Sequence, residues 1–149
     1  MEDVRKENKI VTRTAVITWD DKKKMFLCPL GKITIGIVAA SESKKHEDMW
    51  TPEELFIASV EGFLRDAFVK HAKRRNFDFL SYESNAEGTI GKNGDTVAFS
   101  EIKIKPKIMV KLNSQIEKAK ELINLAEKDC FISNFITAQI TVYPEIKTG

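Results

Sequence analysis

Residues 51–70 read TPEELFIASVEGFLRDAFVK, and this stretch decides the centre of the fold. Thr51 can cap a helix, Pro52 takes the first helical position where its missing N–H costs nothing, and Glu54 completes a T-x-x-E capping box. Leu55, Phe56, Ile57, Ala58, Val60, Phe63, Leu64, Ala67 and Phe68 follow. Because the first half is apolar almost all round, the pattern predicts a helix that is buried rather than laid on a surface. It continues to about Arg75, where VKHAKRRN turns polar and leaves the core.

Upstream, the chain reads as strands. In 9–19, Val11, Ala15, Ile17 and Trp19 share one face at period two, with Arg13 among them and Thr12, Thr14 and Thr18 opposite. A polar turn precedes Met25–Leu30 and Lys32–Ala40, a hairpin pivoting near Pro29-Leu30-Gly31. Ile33, Ile35 and Ile37 share a face there. The segment 40–50 is a polar loop.

Downstream, Phe77–Gly91 alternates through Leu80, Tyr82, Ala86 and Ile90, and Lys92-Asn93-Gly94-Asp95 signals a hairpin. Thr96–Leu112 places Ile102, Ile104, Ile108, Val110 and Leu112 on one face and Lys103, Lys105, Lys107 and Lys111 on the other. Pro106 cannot donate to a ladder, which predicts an edge or a bulge there. Ser114 opens a second helix with an S-x-x-E box to Glu117, and Ile116, Ala119, Ile123 and Ala126 mark its buried stripe. A short helical turn over 131–137 and a last strand over 138–143 complete a single α+β domain over residues 1–149. Antiparallel sheets and no βαβ alternation are expected.

The chain has 149 residues, 24 basic against 22 acidic, a net charge of +2 and two cysteines. Such a length buries a sizeable core without a metal or disulfide staple. The near-neutral charge recruits no polyanion, and the lysine runs Lys22–Lys24 and Lys73–Arg75 read as solvated faces, so no nucleic-acid partner is expected. Two thiols cannot make a four-thiolate zinc site, and His46 and His71 are isolated in sequence, so neither a metal nor a cofactor is expected. P-loop, dinucleotide and nucleophile-elbow motifs are absent. MEDVRKENK has no apolar signal region and no stretch spans a membrane, which points to a cytoplasmic protein.

Cys130, in KDCFISNF, stands between two helical segments. At the N-terminus of the second it would feel the positive end of the helix dipole, which favours thiolate; otherwise it is a small buried hydrophobe. Cys28, in FLCPL, reads as packing. Glu61 and Arg65 are spaced i,i+4 on the central helix and either pair with each other or line a polar cavity. Glu53 and Glu54 suit a first helical turn.

Thr51-Pro52-Glu53-Glu54-Leu55-Phe56 entering a long apolar helix, together with Ala126-Glu127-Lys128-Asp129-Cys130-Phe131-Ile132-Ser133-Asn134, resembles the OsmC/Ohr family (osmotically inducible protein C and organic hydroperoxide resistance protein). Its members carry a N/T/S-P-E-E/Q-L segment and a C-P-x-S-x motif, and the resemblance spans nearly the whole chain. It implies sheets packed around a buried central helix, an intertwined homodimer with paired interface sites, and a thiol peroxidase cycle in the oxidative or osmotic stress response. In that cycle a peroxidatic cysteine attacks the hydroperoxide and a second cysteine resolves the sulfenic acid.

By this match Cys130 is the resolving cysteine, with Phe131 in place of the usual proline, and Glu53 is the glutamate that positions an active-site arginine. The peroxidatic position falls at Phe63, which has no nucleophile; Arg13 is the one early candidate for the arginine besides terminal Arg5. Two functions follow as expectations. One is a homodimer without two-cysteine peroxidase activity that binds a small apolar molecule in the ancestral interface pocket, near Phe63, Glu61 and Arg65. The other is hydroperoxide detoxification or redox sensing through Cys130 alone. A third, purely partner-binding, reading uses the lysine face of 103–111.

Overall fold

The structure, a computed structural model, describes residues 12–13, 15–19, 25–27 and 31–149. Val11, Thr14, Cys28, the Pro29-Leu30 pivot and Lys22–Lys24 lie outside the described residues. The chain forms two compact units, Met1–Glu54 and Leu55–Gly149.

In the first unit, β1 (Ile17–Trp19), β2 (Met25–Leu27) and β3 (Ile35–Ile37) form an antiparallel three-stranded sheet in the order β1-β2-β3. β3 is shorter than the apolar alternation over 32–40 suggests. Ile37 and Val38 are buried, but Ile17 is 59% and Ile33 86% exposed, so the expected half-buried face is only partly covered within one chain. Arg13 is exposed and donates to its neighbour's carbonyl, Thr12 O, at 3.3 Å. Gly36 meets the Met49 side chain closely, and the Trp50 N–H returns to Gly36 O at 3.0 Å.

The expected capping box is present. Thr51 N donates to Glu54 Oε2 at 2.8 Å and Glu54 N to Thr51 Oγ1 at 3.2 Å. It satisfies two donors at the start of α1 (Pro52–Arg74), and such a cap contributes about 1 kcal/mol. Two residues past the helix, Asn76 takes a φ of 49°, the left-handed conformation that turns the chain, with Phe77 N reaching back to Ala72 O at 2.9 Å. Burial runs along one stripe, Val60, Leu64, Phe68, His71 and Ala72, while Ala58, Ser59 and Gly62 are exposed. The helix is therefore buried along a face and not all round.

The second unit holds the core. β4 (Ser81–Asn93) and β5 (Thr96–Val110) form a long antiparallel hairpin, closed by Gly94-Asp95 with φ of 64° at Gly94. A positive φ at the first turn residue fits glycine and the right-handed twist of the strands. The register shifts between Thr89 and Ile90, a β-bulge absent from the sequence reading. α2 (Ile116–Asp129) follows β5 and leads to β6 (Gln139–Val142) and β7 (Glu145–Thr148), both parallel to β5.

The expectation of purely antiparallel sheets without a βαβ unit is thus corrected. A helix between two strands lets the chain return in the same direction, which is what a parallel pairing requires. Pro106 lies on a central strand, not an edge. It falls between the stretch paired with β6 (Glu101–Ile104) and that paired with β7 (Lys107–Val110), a gap where a missing N–H is tolerated.

The expected Ser114–Glu117 box is replaced. Gln115 Oε1 accepts from Leu112 N at 2.9 Å and Lys111 N at 3.1 Å, across a short 3₁₀ turn, and Glu117 turns instead to Lys120. Ala119, Leu122, Ile123 and Ala126 of α2 pack with the α1 stripe over Ile102, Ile104, Ile108 and Val110 of β5. The opposite sheet face carries the lysines, but Lys103 pairs with Glu101 at 3.3 Å and Lys105 with Glu87 at 3.2 Å. Among the described residues no helix is long and apolar enough to cross a membrane.

Candidate functional site

Cys130 is the residue where α2 stops. Its N–H reaches Glu127 O at 3.4 Å, and its backbone turns extended before the four-residue 3₁₀ helix Phe131–Asn134. This reverses the expected field. The 14-residue α2 aims the negative end of its dipole at Cys130, whereas four residues of 3₁₀ helix offer little opposing positive end. The thiol is 8% exposed and belongs to the core cluster.

A cavity of about 120 Å³ lies against it. Val60 and Leu64 line it from α1, Ile104 from β5, and Ala138, Ile140 and Val142 from the β6 segment. Cys130 and Glu127 complete the wall, so the lining is apolar apart from one thiol and one acid. The i,i+4 spacing of Val60 and Leu64 places both on the side of α1 that faces β5. Phe63 packs against the same core, half-buried, but it is not part of this wall, and neither are Glu61 and Arg65. A volume near 120 Å³ is well below the several hundred Å³ of drug-sized sites and close to that of cavities that admit benzene.

Glu61 and Arg65 do not pair with each other. Glu61 Oε1 accepts from Ser84 Oγ on β4 at 2.8 Å, while Arg65 pairs at 3.0 Å with Asp66 beside it at the surface. Tyr82, which in the sequence is one residue of a strand alternation, shares the Ser84 side of β4. Its ring lies 5.6 Å from that of Phe68, and its buried hydroxyl has no hydrogen-bond partner among the described residues. Burial, first, and the nearby Glu61 carboxylate push the phenol up from its ordinary value. The Ser84 hydroxyl, committed to Glu61, and Arg65 offset part of this, and Cys130 adds to the rise.

His71, 9% exposed on α1, meets Asp129 Oδ2 through Nε2 at 2.9 Å. This long-range pair ties the end of α2 to α1 one residue before Cys130; nothing in the linear sequence announces it. In the first unit, Glu53 Oε2 is buried and has no hydrogen-bond partner among the described residues. Arg13, directed at Thr12, does not supply one.

The capped helix α1, the α2–Cys130 junction and the mixed sheet coincide with a known family pattern: a model described as OsmC-like protein matches residues 45–145. The chain belongs to the OsmC-like family. Among solved structures, an OsmC-like protein of unknown function from Vibrio cholerae superposes with a TM-score of 0.79 at 20% identity, covering 91% of this chain and 99% of that one. The organic hydroperoxide resistance protein OhrB of Bacillus subtilis gives 0.66 at 20% identity, with 91% and 98% covered. An organic hydroperoxide resistance protein from Elizabethkingia anophelis gives 0.67 at 19% identity, with 93% and 99% covered. At such identities the likeness establishes the OsmC-like fold. No curated protein matches the sequence.

Proposed function

We propose that this OsmC-like protein is a homodimer that binds a small apolar or amphipathic molecule in the cavity beside Cys130, and that it does not run a two-cysteine hydroperoxidase cycle. The observation that carries the reading is the apolar cavity of about 120 Å³ with the Cys130 thiol in its wall. On our reading of the motif at Thr51–Phe56, Phe63 takes the peroxidatic position, and a phenyl ring can neither attack an O–O bond nor form a disulfide. Exposed Ile17 and Ile33, with the uncovered side of α1, supply apolar surface that a second copy would bury.

The test is a binding titration with benzene-sized apolar probes on the purified protein, run beside a hydroperoxide-consumption assay with an external dithiol. Saturable binding without turnover is the expected result. No binding, or rapid turnover insensitive to Cys130→Ser, would overturn the proposal.

The position of Cys130 favours a second reading, a one-cysteine peroxidase or redox sensor in the oxidative or osmotic stress response. A hydroperoxide lodged in the cavity would lie against the sulfur. The thiolate would attack one peroxide oxygen, the O–O bond would break, and a proton would go to the departing alkoxide, leaving sulfenic acid and alcohol. An external thiol would then form a mixed disulfide and release water, and a second thiol would regenerate Cys130. The adjoining C-terminus of α2 opposes a thiolate there, which ranks this reading second. Consumption of an organic hydroperoxide that Cys130→Ser abolishes would promote it to first.

A further inference from the structure

We infer that Glu127 is a specificity-determining residue of the Cys130 cavity, selecting apolar molecules with a neutral or cationic head against those carrying a carboxylate. The inference rests on the ligand-binding reading above. Among the described residues, Glu127 is the one charged group in the cavity wall. Among the described residues it makes no salt bridge, so none of them neutralises this exposed acid beside an otherwise apolar space.

The helix adds to this. Glu127 lies in the last turn of α2, where carbonyls without helical partners carry the partial negative charge of the dipole. Asp129, one residue before Cys130, is already engaged by His71 at 2.9 Å, which leaves Glu127 and the helix end to act on a ligand. Lys128 is exposed and is not part of the wall. A carboxylate entering head-first would meet the Glu127 charge at short range beside low-dielectric walls, with no cation in the lining to receive it. A hydroxyl or an ammonium in the same place meets an acceptor.

Three probes with one apolar body test the inference: isobutanol, isobutylammonium and isobutyrate, titrated into the full chain at neutral pH and followed by the methyl resonances of the protein. Isobutyrate is expected to bind about tenfold more weakly than isobutanol, and isobutylammonium at least as well as isobutanol. Because Glu127 is exposed, Glu127→Gln should leave the fold intact while bringing isobutyrate within about threefold of isobutanol. Ala138→Leu, or Val142→Ile as a milder filling variant, should weaken all three together.

Equal binding of isobutyrate and isobutanol to the wild-type chain, lost on filling the cavity, would overturn the inference and leave the ligand-binding reading standing. The same follows if Glu127→Gln leaves the discrimination unchanged. If no probe binds, or filling the cavity changes nothing, both fall.

Discussion

Leu64→Ala probes the cavity and the core in one experiment. Leu64 is almost fully buried on α1 and forms part of the wall beside Cys130. The substitution removes three carbons, about 2.4 kcal/mol of transfer free energy at ~0.8 kcal/mol each. To this is added the cost of the enlarged void, and measured Leu→Ala losses run from about 2.7 to 5 kcal/mol. The void here joins one already present, and Val60, Ile104 and Ile140 around it are held by a helix and a sheet, so the site has little means of collapsing.

We expect about 4 kcal/mol, in the upper half of that range, corresponding to a fall in Tm on the order of 10 °C for a chain of this size. Urea unfolding at fixed protein concentration measures it, with the slope of the transition checked for constancy. Repeating the experiment with benzene should restore more stability to the variant than to the wild type, because only ligand bound to the folded state contributes. A loss below about 1.5 kcal/mol with an unchanged slope would refute the close packing argued for Leu64. Absence of any benzene effect would refute the apolar character of the cavity.

Tyr82 makes stability fall at alkaline pH: its phenol is raised in the folded state, so above about pH 10 the unfolded chain loses a proton that the folded chain keeps. The slope is up to about 1.4 kcal/mol per pH unit, and Tyr82→Phe should remove this contribution while costing little at neutral pH, since the hydroxyl has no partner to lose among the described residues. Absorbance titration of tyrosinate together with urea unfolding reads both effects. Gly88→Ala should cost about 1–3 kcal/mol, because a Cβ there would stand 2.7 Å from Ile57 Cδ1 and from Phe99 Cε1; thermal unfolding tests it. Asp129→Ala should cost about 1–3 kcal/mol by leaving buried His71 without this carboxylate, and a double-mutant cycle with His71→Ala should show coupling of at least about 0.5 kcal/mol.

The features the sequence determined by itself are local. The Thr51–Glu54 box, the start of α1, the Asn93-Gly94 hairpin and the alternation of Ile102, Ile104, Ile108 and Val110 each depend on residues a few positions apart. Capping, turn conformation and side-chain period act over that range. The OsmC-like family was legible for the same reason, because its two motifs are short and each stands at a helix end.

What only the tertiary structure decided involves partners distant in the chain. The parallel pairing of β6 and β7 with β5 depends on where the chain returns after α2, and Pro106 is tolerated on a central strand because two short strands leave a gap beside it. The His71–Asp129 pair joins residues 58 positions apart. The field at Cys130 turned on the relative lengths of two helices, one of which proved to be a single 3₁₀ turn. The cavity beside it exists because a helix stripe, a strand and a returning segment leave a space between them. No window of sequence contains all three.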